Sequence, residues 1–266
     1  MFNLTPTVRN LLLVNLACFL AQENLRLDPS ITQLGSLYPI GSPFFHFWQF
    51  FTYMFLHGNW GHIFSNMFGL IVFGPLLEQR WGGQRFLAFW LMCGVGAGVL
   101  YEGYQTYNFS KTEQAYTDYR TNPDAYEYSY YLDRLGFKSP NDQAAAEALA
   151  RNPHNQQLRA DMQERITNLH AELQVHPTGG MLGASGALFG VMFAFAYLFP
   201  NTELFILFIP FPIKAKYLVF FYALYELYGG IQKAPGDNVA HFAHLGGLLI
   251  GFIILKFWEG GRTRFY

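Results

Sequence analysis

Charge is what this sequence has least of. Only 13% of its 266 residues are Asp, Glu, Lys or Arg, against roughly 25% in an ordinary soluble domain. Cysteine is nearly absent: Cys18 and Cys93 each sit inside an apolar run, which excludes a disulfide scaffold and a zinc-ribbon spacing. A net charge of −1 implies no overall attraction to nucleic acid. What is abundant is apolar surface: 52% of residues are hydrophobic and 19% aromatic, with 28 Phe and 17 Tyr. That content excludes disorder and exceeds what one soluble core could hide. The composition is that of a membrane protein.

The few charges are unevenly placed. Residues 106–178 hold seven Lys/Arg and ten Asp/Glu, 17 of the 35 charges in about a quarter of the chain. Outside this block, six stretches approach the roughly 20 apolar residues that a spanning helix needs: about 8–23, 60–77, 86–104, 181–200, 216–231 and 238–257. The first is read as a retained helix rather than a signal peptide, since one basic residue precedes it and Ala-Gln-Glu is a poor cleavage context. The run 204–213, LFILFIPFPI, is too short to span and carries Pro210 and Pro212; it reads as an interfacial or re-entrant connection. With the N-terminus inside, the inner segments hold Arg9, Arg80, Arg85, Lys214, Lys216, Lys256, Arg262 and Arg264, and the short outer loops hold Arg26 and Lys233. Eight against two sets both termini in the cytoplasm and the 106–178 block on the outer side. The expected fold class is an all-α membrane protein, a six-helix bundle formed by 1–105 and 179–266 with a polar, mostly helical insert between helices three and four.

The insert begins with Tyr116, Tyr119, Tyr126, Tyr128, Tyr130 and Tyr131 and has Asn-Pro and Ser-Pro turns at 122–123 and 139–140. Further on, Leu158, Met162, Ile166, Leu169 and Leu173 form one apolar stripe at helical spacing. Such a segment is either a helical hairpin packed on itself or the membrane surface, or a lid that selects substrates.

Polar groups inside membrane helices are candidate functional sites. Aspartate is missing from every expected span and no H-E-x-x-H occurs, so the paired-aspartate and zinc routes to intramembrane proteolysis lack their residues. A serine, three histidines and an asparagine remain. Helix four opens with Gly183, Ala184, Ser185 and Gly186, and Gly186 with Gly190 forms a small-xxx-small face. Helix six carries His241 and His244 one turn apart, then Gly247 and Gly251. Two such faces in contact bring Ser185 to His244, the pairing of a nucleophile with its base. The same residues also suit plain helix packing, and the histidines, with His62, could ligate a metal. In helix two, His62 and Asn66 lie on one face; Asn66 could donate to an oxyanion or to a neighbouring helix. His57, in the preceding loop, reads as a loop anchor.

These residues resemble the rhomboid family of intramembrane serine proteases in its bacterial six-helix form. The likeness rests on His62-x-x-x-Asn66, on Gly183-Ala-Ser185-Gly186 and on His244-x-x-Gly247-x-x-x-Gly251, with FWQFFTYMFLHGNWGHIFSN and EQRWG as flanking text. It covers about 45–105 and 179–258. The resemblance implies Ser185 as nucleophile, His244 as general base, and an oxyanion hole of Asn66, His62 and the Ser185 N–H. It implies a dyad with no third carboxylate, and the spans near the pair are expected to offer none. His241 lies one turn outward of His244. Phe189 stands where many members place a tyrosine that stacks on the histidine. Helix five, about 216–231, corresponds to a lateral substrate gate, and Glu226 within it has no assigned role. The expected activity is cleavage of transmembrane protein substrates near their outer ends, in a lipid bilayer, without cofactor or metal, in a bacterial cytoplasmic membrane. The alternative is a non-catalytic relative that binds membrane helices. Nothing in the sequence sets an oligomeric state.

Overall fold

The computed structural model describes residues 4–175, 180–205, 211–232 and 239–260. Six helices cover the six apolar stretches: α1 (Pro6–Asn24), α4 (Trp60–Trp81), α5 (Gly83–Thr121), α9 (Ser185–Leu198), α10 (Ala215–Gln232) and α11 (His241–Trp258). Short helices α2 (Ile31–Gly35) and α3 (Gln49–Thr52) lie between α1 and α4, and α6 (Ala125–Leu135), α7 (Pro140–Arg151) and α8 (Gln156–Val175) between α5 and α9. By length and apolarity, α4, α5 and α11 are each able to cross a membrane, and α9 is apolar but only 14 residues long.

Three boundaries differ from expectation. Helix three does not stop at 104; α5 runs unbroken to Thr121. Neither Gly nor Pro interrupts 104–121, and Thr112, Thr117 and Thr121 return their hydroxyls to carbonyls one turn back. The first breaker is the Asn122-Pro123 turn. Helix four begins at Ser185 rather than 181, because Met181 pairs with Leu37 in a β-bridge and Gly183 adopts φ +130°. At 204–213, the flanks pair as β1 (Glu203–Leu204) and β2 (Ile213–Lys214), antiparallel. Residues 206–210 of that run, Lys233, Asn238 at the expected start of helix six, and Arg262 and Arg264 lie outside the described residues.

The chain divides into two compact units. The first comprises residues up to 37, 46–102 and from 181 onward. One end of its helix bundle is tied by two buried carboxylates. Glu78 of α4 accepts from the N–H groups of Thr7 and Val8, at 2.8 Å each, and from the Thr5 hydroxyl, satisfying orphan donors at the start of α1. Glu259 accepts from Arg80 at 2.8 Å and from the Trp81 indole at 2.9 Å, joining the ends of α4 and α11. Arg80 and Lys256 are therefore at this end. At the opposite end lie the N-termini of α4, α9 and α11.

The second unit comprises 38–45 and 103–180 and has its own core. Ala115, Tyr119, Tyr128, Tyr131, Leu132, Ala146, Leu149, Met162 and Ile166 are buried together, with Leu158 and Leu169 packed against them. The stripe of α8 is thus covered within the unit from Leu158 to Leu169. Its polar centre is Asp142 in the first turn of α7, which accepts from the Tyr128 hydroxyl at 2.7 Å, the Ser139 N–H at 2.9 Å and Arg165 Nε at 2.6 Å. Tyr116 stacks on His170 with centroids 3.6 Å apart, and Tyr131 meets the same imidazole at 3.0 Å.

Candidate active site

The segment entering α9 is fixed by backbone before any side chain matters. Leu37 and Met181 exchange N–H···O bonds of 2.8 Å, and the Gly183 N–H donates to the Tyr53 carbonyl at 2.9 Å. Tyr53 is itself pinned, its hydroxyl donating to the Gly94 carbonyl at 2.7 Å. Only glycine suits position 183: its φ is disfavoured for L side chains, and a Cβ there would lie 2.7 Å from His62 Nε2. The chain then turns into α9 with Ser185 as its first residue, half-buried. A first-turn N–H has no intrahelical acceptor and sits at the positive end of the helix dipole.

Close packing of α9 on α11 brings the partner in. A Cβ at Gly247 would collide with the Gly186 carbonyl oxygen, and one at Gly251 would stand 3.0 Å from both Gly190 Cα and O. The two small-residue faces therefore meet backbone to backbone, closer than residues with side chains allow. One turn above this contact, His244 Nε2 lies 2.7 Å from Ser185 Oγ. His244 is 8% exposed, and its ring stacks on Phe189, with centroids 4.3 Å apart and planes 9° from parallel. Tyr222 of α10 backs Phe189 at 4.9 Å.

Asn66 is buried on α4, and its side-chain amide nitrogen has no hydrogen-bond partner among the described residues. An unpaired buried amide costs about 1–3 kcal/mol, and its donor hydrogens remain available to a bound group. His62, half-buried one turn earlier, accepts from the Gly58 N–H through Nδ1 at 3.4 Å, and its Nε2 side faces Gly183. Asn59 caps α4 by accepting from the His62 N–H at 2.9 Å. His57 anchors its loop through its backbone, exchanging hydrogen bonds with the Gln22 side chain. Its ring lies 5.1 Å from that of His62. Burial, with the His62 ring second, pushes the His57 imidazole down to about 3, so it stays uncharged.

One expectation needs correcting. A carboxylate does stand beside the histidines: Glu226 of α10, 1% exposed, places Oε2 2.6 Å from His241 Nδ1 and 2.9 Å from His244 Nδ1. Its position on the fifth apolar stretch was plain in the sequence; its partners were not, because neither period nor motif says which helix it faces. Among the described residues no group of three or more His, Cys, Asp and Glu side chains is arranged to hold a metal ion.

Fold and site together define a helical membrane protein with a serine–histidine contact near the N-terminal ends of three packed helices. The chain belongs to the rhomboid family: the Rhomboid domain model matches residues 45–110 and 165–258, more than half of the sequence. Members of that family are generally intramembrane serine proteases. Among curated relatives, Rhomboid-like protein 11, chloroplastic, of Arabidopsis thaliana is 34% identical over 90 residues, covering 34% of this chain and 30% of the relative. Rhomboid protein 1, mitochondrial, of Saccharomyces cerevisiae is 39% identical over 90 residues, 32% of this chain and 25% of the relative. RHOMBOID-like protein 12, mitochondrial, of Arabidopsis thaliana is 26% identical over 215 residues, 80% of this chain and 47% of the relative. The chain thus matches less than half the length of these relatives.

Proposed function

We propose that this protein is an intramembrane serine endopeptidase that cleaves transmembrane segments of membrane proteins. The observation that carries the reading is the 2.7 Å contact between Ser185 Oγ and His244 Nε2, the distance at which an imidazole accepts a hydroxyl proton. Ser185 Oγ attacks the scissile carbonyl carbon as its proton passes to His244 Nε2. The carbonyl oxygen becomes an oxyanion, stabilised by the Asn66 amide, the Ser185 N–H and His62. Collapse of the tetrahedral species breaks the C–N bond, and His244 returns the proton to the leaving amine. Water, deprotonated by the same imidazole, then hydrolyses the acyl-enzyme and regenerates Ser185.

A helix hides its carbonyls in its own hydrogen bonds, so a substrate must unwind locally. Segments with Gly or Pro near the cut meet that need at least cost. The Lys/Arg bias supports an orientation with both termini cytoplasmic, the Ser185 end of the bundle outward and the 106–178 insert outside. A bacterial cytoplasmic membrane is the compartment we assign.

The test is labelling of the purified protein in detergent by a serine-reactive fluorophosphonate. Wild type labels at Ser185, while Ser185→Ala and His244→Ala do not. A folded wild-type protein that stays unlabelled and leaves model membrane substrates intact refutes the reading and favours a non-catalytic binder of membrane helices.

A further inference from the structure

The group that the mechanism above leaves unused is Glu226. Among the described residues it is one of the least exposed carboxylates, yet it is carried by α10, a mostly apolar helix. A carboxylate so placed is tolerated only if its charge is compensated nearby. Both compensating groups are imidazoles of α11, and both approach the same oxygen, Oε2. The backbone of α10 is shaped for this contact. At Gly229 a Cβ would lie 2.5 Å from His241 Cε1 and 2.6 Å from Nε2, so the His241 ring rests directly on the α10 main chain.

The two contacts differ in kind. The bond between His241 and Glu226 is a short, aligned hydrogen bond of 2.6 Å. His244 Nδ1 stands at 2.9 Å but makes no aligned hydrogen bond. Its interaction with the carboxylate is therefore mainly that of a nearby negative charge facing the Nδ1 edge of the ring. A carboxylate at that edge favours the tautomer with hydrogen on Nδ1, which leaves the Nε2 lone pair for the Ser185 hydroxyl.

We propose that Glu226 is a positioning residue for His244: its carboxylate, anchored by His241, holds the His244 imidazole in the Nδ1–H tautomer and stabilises the imidazolium formed when Ser185 gives up its proton. The Ser185–His244 pair is thereby extended to a relay of four side chains on three helices, with His241 an anchor rather than a spare base. The proposal rests on the protease reading for the chemical use of His244. The tautomer itself is independent of that reading. Among the described residues, groups facing the cluster include His62 from α4 toward His244, and Tyr222 and Tyr225 from α10, the latter ring 6.3 Å from His241. From α5, Ala97 and Leu100 pack on this stretch of α11.

The experiment uses the full chain in detergent micelles, labelled with ¹⁵N-histidine, with His244→Gln identifying the His244 resonances. Wild type is expected to show His244 as the Nδ1–H tautomer. In Glu226→Gln, which keeps the shape and removes the charge, the tautomer should become mixed. Fluorophosphonate labelling of Ser185 should slow by about 10²-fold, less than the about 10⁴-fold lost when the aspartate of a serine-protease triad is replaced, because the Nδ1 contact is not aligned. Glu226→Asp should restore part of the rate and part of the wild-type tautomer preference, whereas a merely structural role would leave the tautomer unmoved. A wild-type His244 in the Nε2–H tautomer overturns the proposal even if every variant fails to fold. So does a folded Glu226→Gln protein with unchanged tautomer. If wild type shows the expected tautomer, altered by Glu226→Gln, but never labels, the positioning role stands and the protease reading fails.

Discussion

Replacing Gly247 with alanine puts the α9–α11 contact to its hardest test. The added methyl would collide with the Gly186 carbonyl oxygen and stand 2.9 Å from its carbon and 3.3 Å from its Cα. All three are backbone atoms, so no side chain can rotate away and the helices themselves must part. Restoring ordinary contact takes a separation on the order of 1 Å. Ser185 precedes Gly186 directly and His244 lies one turn before Gly247, so the 2.7 Å contact between them opens to about 3.7 Å, past hydrogen-bonding range. A displacement of this size costs about 10²-fold in rate, and overpacking costs about 1–3 kcal/mol of stability. The assay is the fluorophosphonate labelling rate beside thermal unfolding in the same detergent. Gly103→Ala is the control: it sits in α5 with nothing within 4 Å of the new Cβ, and should label normally and gain roughly 0.5–1 kcal/mol. Wild-type labelling by Gly247→Ala with an unchanged melting temperature would mean that the glycine faces do not set the distance between serine and histidine.

Three further outcomes follow from the same geometry. Asn66→Ala should lower turnover of a cleaved substrate about 10²–10³-fold without lowering the melting temperature, because the amide nitrogen it removes has no partner to lose; a matching fall in stability would assign Asn66 to helix packing instead. Gly183→Ala forces a side chain into φ +130° and against His62, a strain of about 1–3 kcal/mol, and should abolish most labelling; a variant that labels like wild type shows that the Gly183–His62 approach is dispensable. In the insert, burial works to raise the Asp142 carboxyl, but hydrogen bonds from Ser139, Tyr128 and Arg165 outweigh it and hold the group well below the usual carboxylate range. Its contribution is therefore complete above about pH 4 and lost as pH falls further, through the lowered folded value. Asp142→Asn should cost about 1.5–3 kcal/mol near neutrality, read as earlier proteolytic opening of 103–175, with the difference from wild type shrinking in acid; equal proteolysis rates at pH 7 would remove Asp142 from the centre of that unit.

Much of the site was legible in the sequence because the relevant signals are local. Glycine and serine at helical spacing in 183–190, and histidine and glycine in 241–251, mark two faces that can approach closely. A membrane helix with such a face has few other uses for it. Asn66 and His62 were legible because i, i+4 residues share a face whatever the helix packs against. The end of helix three was misjudged for an equally local reason: polarity changes at 105, but the backbone meets no breaker until Asn122-Pro123. Glu226 is the opposite case. Its helix was found, yet its role depends on the rotation of α10 against α11, to within one side chain. That rotation is set by contacts such as His241 on Gly229, between residues 12 apart in sequence and on separate helices.

The low charge count, the apolar runs and the small-residue faces were enough by themselves to determine a helical membrane protein in which a serine, two histidines and an asparagine lie toward one end. They do so because hydropathy and helical period are properties of single segments. The serine–histidine pairing was already expected from those faces; its realised distance and the carboxylate beside it were decided by tertiary structure. The backbone contact at Gly247 sets serine against His244, and the packing of α10 adds a carboxylate that no period along one helix could reveal. Contacts between helices depend on how each is rotated and how closely it packs, and neither quantity is written in one segment alone.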